Sequence, residues 1–439
     1  MKVAGIIAEY NPFHNGHAYH IEEVRKKTGA DYIIAIMSGN FVQRGGPAIV
    51  DKYTRTKMAL LGGADLVIEL PVVAATASAE TFARCGVAIL NSIGVVTHLG
   101  FGCETDDLEL LHALANLFVE EPKEYQELLS SYLKEGLSYP AARAKAAGEY
   151  FQKFVADTSI TNRNSTHNVY ADGIIDNTLN IEATLNNPNN ILAIEYLKAL
   201  KQINSTIKPC PILRQGNHYH DEDLSGSISS ATAIRRNMLE LEVSTMEYEN
   251  LLLKYIPQIC LDTLLESLKL CPPIIENDFS SLLHYKLYLE QNDFRNYSDV
   301  KDDLANRILN LQESYVSFTV FIDEIKTKNM TYTNVSRALL HILLDIKKSH
   351  MNDLTSSNYA PYIRVLGFRK SSSLLLNKLK NSSIPVVAQL AKDKKGLNDT
   401  ALRLLQLDIS SAHIYNLMKI NKSGLSIEKN EYRTPLVYL

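Results

Sequence analysis

A chain of 439 residues is too long for one compact core, so two domains are expected, with room for a third. Its 46% hydrophobic and 21% charged residues exclude a disordered or fibrous chain; no apolar run is long enough to span a membrane and no basic-then-apolar leader is present, so a soluble cytoplasmic protein is expected. A net charge of −4 speaks against a generally basic nucleic-acid binder, and the five scattered cysteines (Cys85, Cys103, Cys210, Cys260 and Cys271) give neither a disulfide framework nor a CxxC site.

The apolar run Val3 to Ala8 predicts a buried strand, Asn11-Pro12 its turn, and Gly16 to Thr28 a helix. The turn carries His14-Asn15-Gly16-His17. Such a strand-turn-helix entrance offers amides and a positive dipole end to an anion, and Gly16 removes a side chain that would keep a phosphate from the backbone. Two imidazoles could donate to phosphate oxygens where charge grows during attack on an α-phosphorus. A zinc site is the weaker use of the pair, because only Glu9 or His20 lies close enough in sequence to complete it.

A strand over Tyr32 to Met37 leads into a loop from Ser38 to Ile49 whose Arg44, Gly45 and Gly46 suit anion contact or a closing lid; a turn stabilised by Asn40 is the alternative. Helix Asp51 to Leu61 follows, with Asp51 as an expected N-cap and Lys52 and Arg55 one turn in, where they could reach a phosphate. Strand Leu66 to Leu70, helix Ala79 to Ser92, strand Val95 to Phe101 and helix Asp106 to Phe118 repeat the β-α order, so a parallel sheet with its functional loops at one edge is expected. Helical segments reach Phe154. The Asn- and Thr-rich text after it reads as a flexible surface insertion at about 155–185. Helix Ile191 to Lys201 and strand Thr206 to Leu213 restore the α/β pattern. A Ser-rich turn, Ser225 to Ser230, then opens helix Ala231 to Leu241, with surface histidines His218 and His220 ahead of it. The text beyond 245 is Leu/Ile-periodic and predicts a mostly helical domain.

Charge is unevenly distributed along the chain. Residues 361–439 carry 13 Lys/Arg against 5 Asp/Glu, a balance of +8, which leaves −12 for the rest. Arg364, Arg369, Lys370, Lys378, Lys380, Lys392, Lys394, Lys395 and Arg403 stand among Tyr362, Phe368 and serines, a composition suited to a phosphate backbone or, more plainly, to a solvated helix face.

Several blocks then carry a resemblance: AEYNPFHNGHAYHI at 8–21, MSGNFVQRGGPAIVDKYTR at 37–55, GADLVIELP at 63–71, FGCE at 101–104 and NPNNILAIEYLKAL at 187–200. Together they resemble the tRNA(Met) cytidine acetate ligase family within the HIGH-type nucleotidyltransferase superfamily. The resemblance implies an α/β fold, with a parallel-sheet, Rossmann-like nucleotidyltransferase domain at 1–244 and a mostly α-helical domain at 245–439 whose basic part binds tRNA. It implies catalytic roles for His14 and His17. ATP contacts are implied along the turn at Ile7, Ala8, Glu9, Tyr10, Asn11, Pro12, Phe13, His14, Asn15, Gly16, His17, Ala18, Tyr19 and His20, and further at Gly102, Asn189, Arg214, Ser229, Ser230 and Thr232. Ser229 to Arg235 resembles the superfamily's second signature, departing from it at Ala231, where Gly is frequent. Arg44, Lys52, Arg55, Lys392, Lys394 and Lys395 are the candidates for tRNA. The implied substrates are ATP, acetate and elongator tRNA(Met). Mg²⁺ is expected on the triphosphate, with no carboxylate cluster marking a metal site. The competing enzyme is a nucleotidyltransferase joining AMP to a phosphorylated cofactor precursor; a tRNA-binding module with a vestigial nucleotide site is the third reading.

Overall fold

Strand β1 (Val3–Ala8) holds no side chain that needs water and is buried through Ile7. It pairs in parallel with β2 (Tyr32–Ser38), Val3 opposite Tyr32 and Ala8 opposite Met37, and β2 pairs in parallel with β5 (Leu66–Leu70). On the other side of β1, Ala4 to Ile6 pair with His98 to Gly100 of β6 (His98–Cys103), again in parallel. Helix α1 (Asn15–Thr28) follows β1, α2 (Lys52–Leu61) follows β2, and α3 (Val72–Ala75) and α4 (Ala79–Ser92) follow β5. The strands therefore deliver their carboxyl ends to one edge, as the β-α repetition predicts. Gly5 has a steric reason: a Cβ there would stand 2.5 Å from Leu90 Cδ1 of α4, so glycine lets that helix close on the sheet.

The computed structural model describes all residues except 106, 156–177, 215–229, 242–244, 291–292 and 427–429. The chain divides into two compact units, Met1–Gly100 with Gln215–Leu439, and Phe101–Arg214. A boundary at 244/245, expected from the change in text, does not separate them; the helices beyond 245 share the first unit with the N-terminal strands.

The C-terminal part is mostly helical, as expected, and it also contributes strands to the sheet. Ile363–Phe368 forms β8, which runs antiparallel to β5 with Ile68 opposite Val365, and β9 (Val386–Val387) and β10 (Val437–Tyr438) pair with β8 in parallel. Ile363, Val365 and Leu366 are buried, and at roughly 1.5–3 kcal/mol for each fully buried aliphatic side chain this outweighs the helical bias of the surrounding text. The segment Ser38 to Ile49 is likewise more ordered than a loop. β3 (Phe41–Val42) and β4 (Gly46–Pro47) form a hairpin, Phe41 packs against Phe279 and Tyr415, and Gly45, at φ +86°, lies against the backbone of Ser336 and Arg337 where a side chain has no room. This is a packed hairpin, not a loose lid.

The second unit contains the end of β6, β7 (Lys208–Leu213) and helices including Leu108–Glu120, Tyr139–Tyr150 and Pro188–Gln202. Arg143 pairs with Glu195 at 2.9 Å and lies 3.8 Å over the Phe118 ring, which fastens three of these helices to one another. Of the insertion expected at about 155–185, residues 156–177 lie outside the described residues. Its last part is a helix, Thr178–Asn186, with Ile181, Thr184 and Leu185 buried at the spacing of one helix face.

Candidate active site

The turn between β1 and α1 is built by its own side chains. His14 is the N-cap of α1, in extended conformation, and its Nδ1 accepts from the Gly16 amide at 3.1 Å while His17 Nδ1 accepts from the His14 amide at 3.2 Å. This reciprocal pair is a capping box with imidazoles in place of Ser and Glu. The two rings stack at 3.7 Å between centroids and 27° between planes, and His14 is only 6% exposed. Because both Nδ1 atoms accept, a neutral ring carries its proton on Nε2, so the backbone sets the tautomer of both histidines. The amide of Gly16, expected to face an anion, is instead committed to His14 in this state.

Tyr10, at φ 51°, and Phe13 pack edge-on at 4.9 Å, and Tyr10 meets His17 at the same distance. Tyr10 is buried, burial pushes its phenol well above the usual range, and its hydroxyl has no hydrogen-bond partner among the described residues. The resemblance counts Tyr10 only as one of a run of ATP contacts; its left-handed backbone and buried hydroxyl become visible only in three dimensions. Asn11 is structural: its Oδ1 accepts from the Ile49 amide at 2.9 Å. Glu9 Oε1 accepts from the Gln43 amide at 2.8 Å, tying the hairpin to the turn. Asn15 Nδ2 donates to the Lys254 carbonyl at 3.0 Å. Ile7 is buried, whereas Ala8, Gly16, Ala18, Tyr19 and His20 are half-buried.

Helix Ala231–Glu240 comes to the same turn. Arg235 Nη1 donates to the Asn11 carbonyl at 2.7 Å and Nη2 to Thr232 Oγ1 at 3.1 Å. Ser230 is its N-cap, Oγ accepting from the Ala233 amide at 3.1 Å, so its hydroxyl serves the helix start. Ser229, with His218 and His220, lies outside the described residues.

In the second unit, Gly102, Asn189 and Arg214 form a cluster around Glu104. A Cβ on Gly102 would stand 3.6 Å from Arg214 Cγ, Asn189 Nδ2 donates to Glu104 Oε1 at 2.7 Å, and Asn190 Oδ1 accepts from the Glu104 amide at 2.8 Å. Neither asparagine is an N-cap; Asn187 holds that position, with Pro188 in the first turn. Burial lowers the Arg214 guanidinium, with the Glu104 carboxylate opposing the shift.

Two candidates for tRNA contact are overturned. Lys52 is 0% exposed, its Nζ 2.8 Å from both Glu69 Oε1 and Glu431 Oε2, and Arg55, also 0% exposed, donates to the carbonyls of Val50, Glu9, Ser38 and Gly39. Both are held inside and present nothing to a polynucleotide. Arg364 is tied through Nε to Glu69 and through Nη2 to Glu431, Arg369 is bonded to the Leu60 carbonyl, and Arg403 pairs with Asp353. Arg44 at the hairpin, Lys392 and Lys395 are exposed, and Lys394 is half-buried with its Nζ 5.0 Å over the Tyr432 ring. The described residues contain no group of three or more His, Cys, Asp or Glu able to hold a metal, and no described helix is long and apolar enough to cross a membrane.

A parallel sheet whose first strand ends in a histidine-capped helix defines a nucleotidyltransferase of the HIGH type, and the family model described as HIGH Nucleotidyl Transferase matches residues 1–430. The tRNA(Met) cytidine acetate ligase of Acetivibrio thermocellus is 40% identical over 440 residues, covering 98% of this chain and 99% of the relative; that of Clostridium novyi is 38% identical and covers both chains fully. Two solved structures of Thermotoga maritima TmcAL, one apo and one bound with alpha-thio ATP, are 29% identical, cover 100% of both chains and superpose with TM-scores of 0.87 and 0.85. The chain belongs to the tRNA(Met) cytidine acetate ligase family.

Proposed function

We propose that this ligase activates acetate with ATP and transfers the acetyl group to N4 of the anticodon wobble cytidine of elongator tRNA(Met), giving N4-acetylcytidine. The observation that carries the reading is the stacked pair His14 and His17, whose Nδ1 atoms are occupied by backbone amides and whose neutral rings therefore donate through Nε2. An acetate oxygen attacks the α-phosphorus, the bond to the bridging oxygen breaks, and pyrophosphate leaves. Charge growing on the α-phosphoryl oxygens is met by these donors. The cytidine amine then attacks the acyl carbon of the mixed anhydride, AMP departs with the anhydride oxygen, and the amine loses a proton. Tyr10 and Phe13, buried and packed against His17, hold its ring in place from the protein side. Gly102, Asn189 and Arg214 are proposed as further nucleotide contacts, and exposed Lys392 and Lys395 with Arg44 as tRNA contacts. Among the described residues no group of three or more His, Cys, Asp or Glu marks a metal site, and Mg²⁺ is proposed to enter bound to the triphosphate.

Support comes from the names of the relatives and from the nucleotide analogue in the Thermotoga structure. The test is incubation of the full chain with ATP, labelled acetate and bulk tRNA. AMP release with label in N4-acetylcytidine is the expected result. Transfer of AMP to a phosphorylated small molecule, with no label in RNA, would favour the alternative transferase; no ATP turnover would overturn both.

A further inference from the structure

We infer that the cleft between β8, β10 and the segment at 387–392 is a binding site for one unstacked nucleotide of single-stranded RNA. The inference rests on a tRNA substrate and assigns a place where that RNA is gripped, sharing no lining residue with the His14–His17 turn. The cleft has a volume of about 480 Å³ and is lined by Tyr53, Arg364, Lys392, Tyr432, Arg433 and Tyr438, among others. That volume falls within the roughly 300–1,000 Å³ of sites for small organic groups. Glu431, an acid in its lining, is already paired to Lys52 and Arg364, and Lys392 and Arg433, which make no ion pair among the described residues, bring positive charge for a phosphate. Arg364 is 3% exposed and its Nη1 has no hydrogen-bond partner among the described residues, so a buried donor on the wall of the cleft lacks an acceptor.

The aromatic residues supply the other half of the argument. Tyr438 is 61% exposed, lies against Phe368 at 6.5 Å and 24°, and has Lys370 Nζ 5.2 Å over its ring; Tyr432 has Lys394 Nζ 5.0 Å over its own. Aromatic faces with cations beside them are what a single strand requires, because each base brings a flat face and each linkage a negative charge. An acidic peptide would satisfy the cations and leave the tyrosine faces unused. A base held within a duplex could not reach them at all.

The experiment measures binding of unmodified elongator tRNA(Met) transcript, a labelled single-stranded oligouridylate and AMP to the full chain and to Tyr432→Ala, Tyr432→Phe and Arg433→Gln, with acetate-dependent ATP–pyrophosphate exchange as the control for folding. Tyr432→Ala should weaken both RNAs by about 10-fold and Tyr432→Phe should restore them, since stacking needs the ring and not the hydroxyl. Arg433→Gln should reduce the salt slope of tRNA binding by about 1. Exchange should remain at the wild-type rate in all three. If wild-type protein binds tRNA and Tyr432→Ala binds it equally well, the cleft is not the site while the tRNA reading stands. If wild-type protein binds no tRNA at all, the underlying reading fails. Displacement of oligouridylate by AMP at equal affinity would overturn the RNA assignment in favour of a free mononucleotide.

Discussion

Two clusters of ionisable side chains in the same compact unit are put to opposite uses. His14 and His17 stand three positions apart, capped by their own turn, and their donors are set by backbone amides. Lys52, Glu69, Arg364 and Glu431 come from four separate segments, two of them near the end of the chain, and neutralise one another in the interior. The histidine pair is a local motif, complete within one short stretch of chain. The buried cluster, taken residue by residue along the chain, resembles a set of solvent or RNA contacts. A charge becomes structural only when a partner distant in sequence arrives, and its desolvation is then tolerable only because the opposite charge is close.

The sharpest way to break this comparison is to remove one member of the buried cluster. Glu431→Ala leaves Lys52 and Arg364 to share the single carboxylate of Glu69, so one buried positive charge is uncompensated, and should cost about 3–5 kcal/mol, read from the urea midpoint; a change near zero would mean the cluster is not holding the C-terminal segment to α2. Its pH dependence has a definite sign. Burial would raise the Glu431 carboxyl, but Lys52 and Arg364 prevail and hold it well below the usual carboxylate range. Glu431 therefore contributes stability above its unfolded pKa of about 4.3, lost as pH falls towards the folded value. The wild-type protein should weaken over that acid window, and Glu431→Ala should show less of the dependence.

In the histidine cluster the effects move from stability to rate. His17→Ala should lower acetate-dependent ATP–pyrophosphate exchange by about 10²-fold or more, equivalent to about 2.7 kcal/mol of transition-state stabilisation. Losing its half of the capping box should cost no more than about 1 kcal/mol of stability. Unchanged exchange would reduce His17 to a helix cap. Arg235→Ala should lower exchange by about 10-fold, because helix Ala231–Glu240 loses its bond to the Asn11 carbonyl; a full-rate variant would show that this helix needs no such fastening. The mildest change is Lys392, Lys394 and Lys395 to Gln together, which should flatten the salt dependence of tRNA binding by a slope of about 2–3 while leaving ATP affinity and the thermal midpoint unchanged. Equal slopes would remove that edge from the RNA contact.

Short-range pattern in the chain was enough to set the strands Val3–Ala8 and Leu66–Leu70 and helix Ala79–Ser92 to the residue, the parallel order of the early sheet, and the turn carrying His14 and His17. These follow from periodicity, turn chemistry and capping, which act over a few residues and are written where they act. Long-range assembly alone decided that Ile363–Phe368 is a strand beside β5, that Ser38 to Ile49 is a packed hairpin, that Lys52 and Arg55 are interior, and that Arg235 holds the Asn11 carbonyl. Each depends on which distant segment arrives to supply apolar cover or an opposite charge. Burial and pairing are properties of the assembled neighbourhood, and a basic side chain carries no local mark of whether it will meet water, RNA or a buried carboxylate.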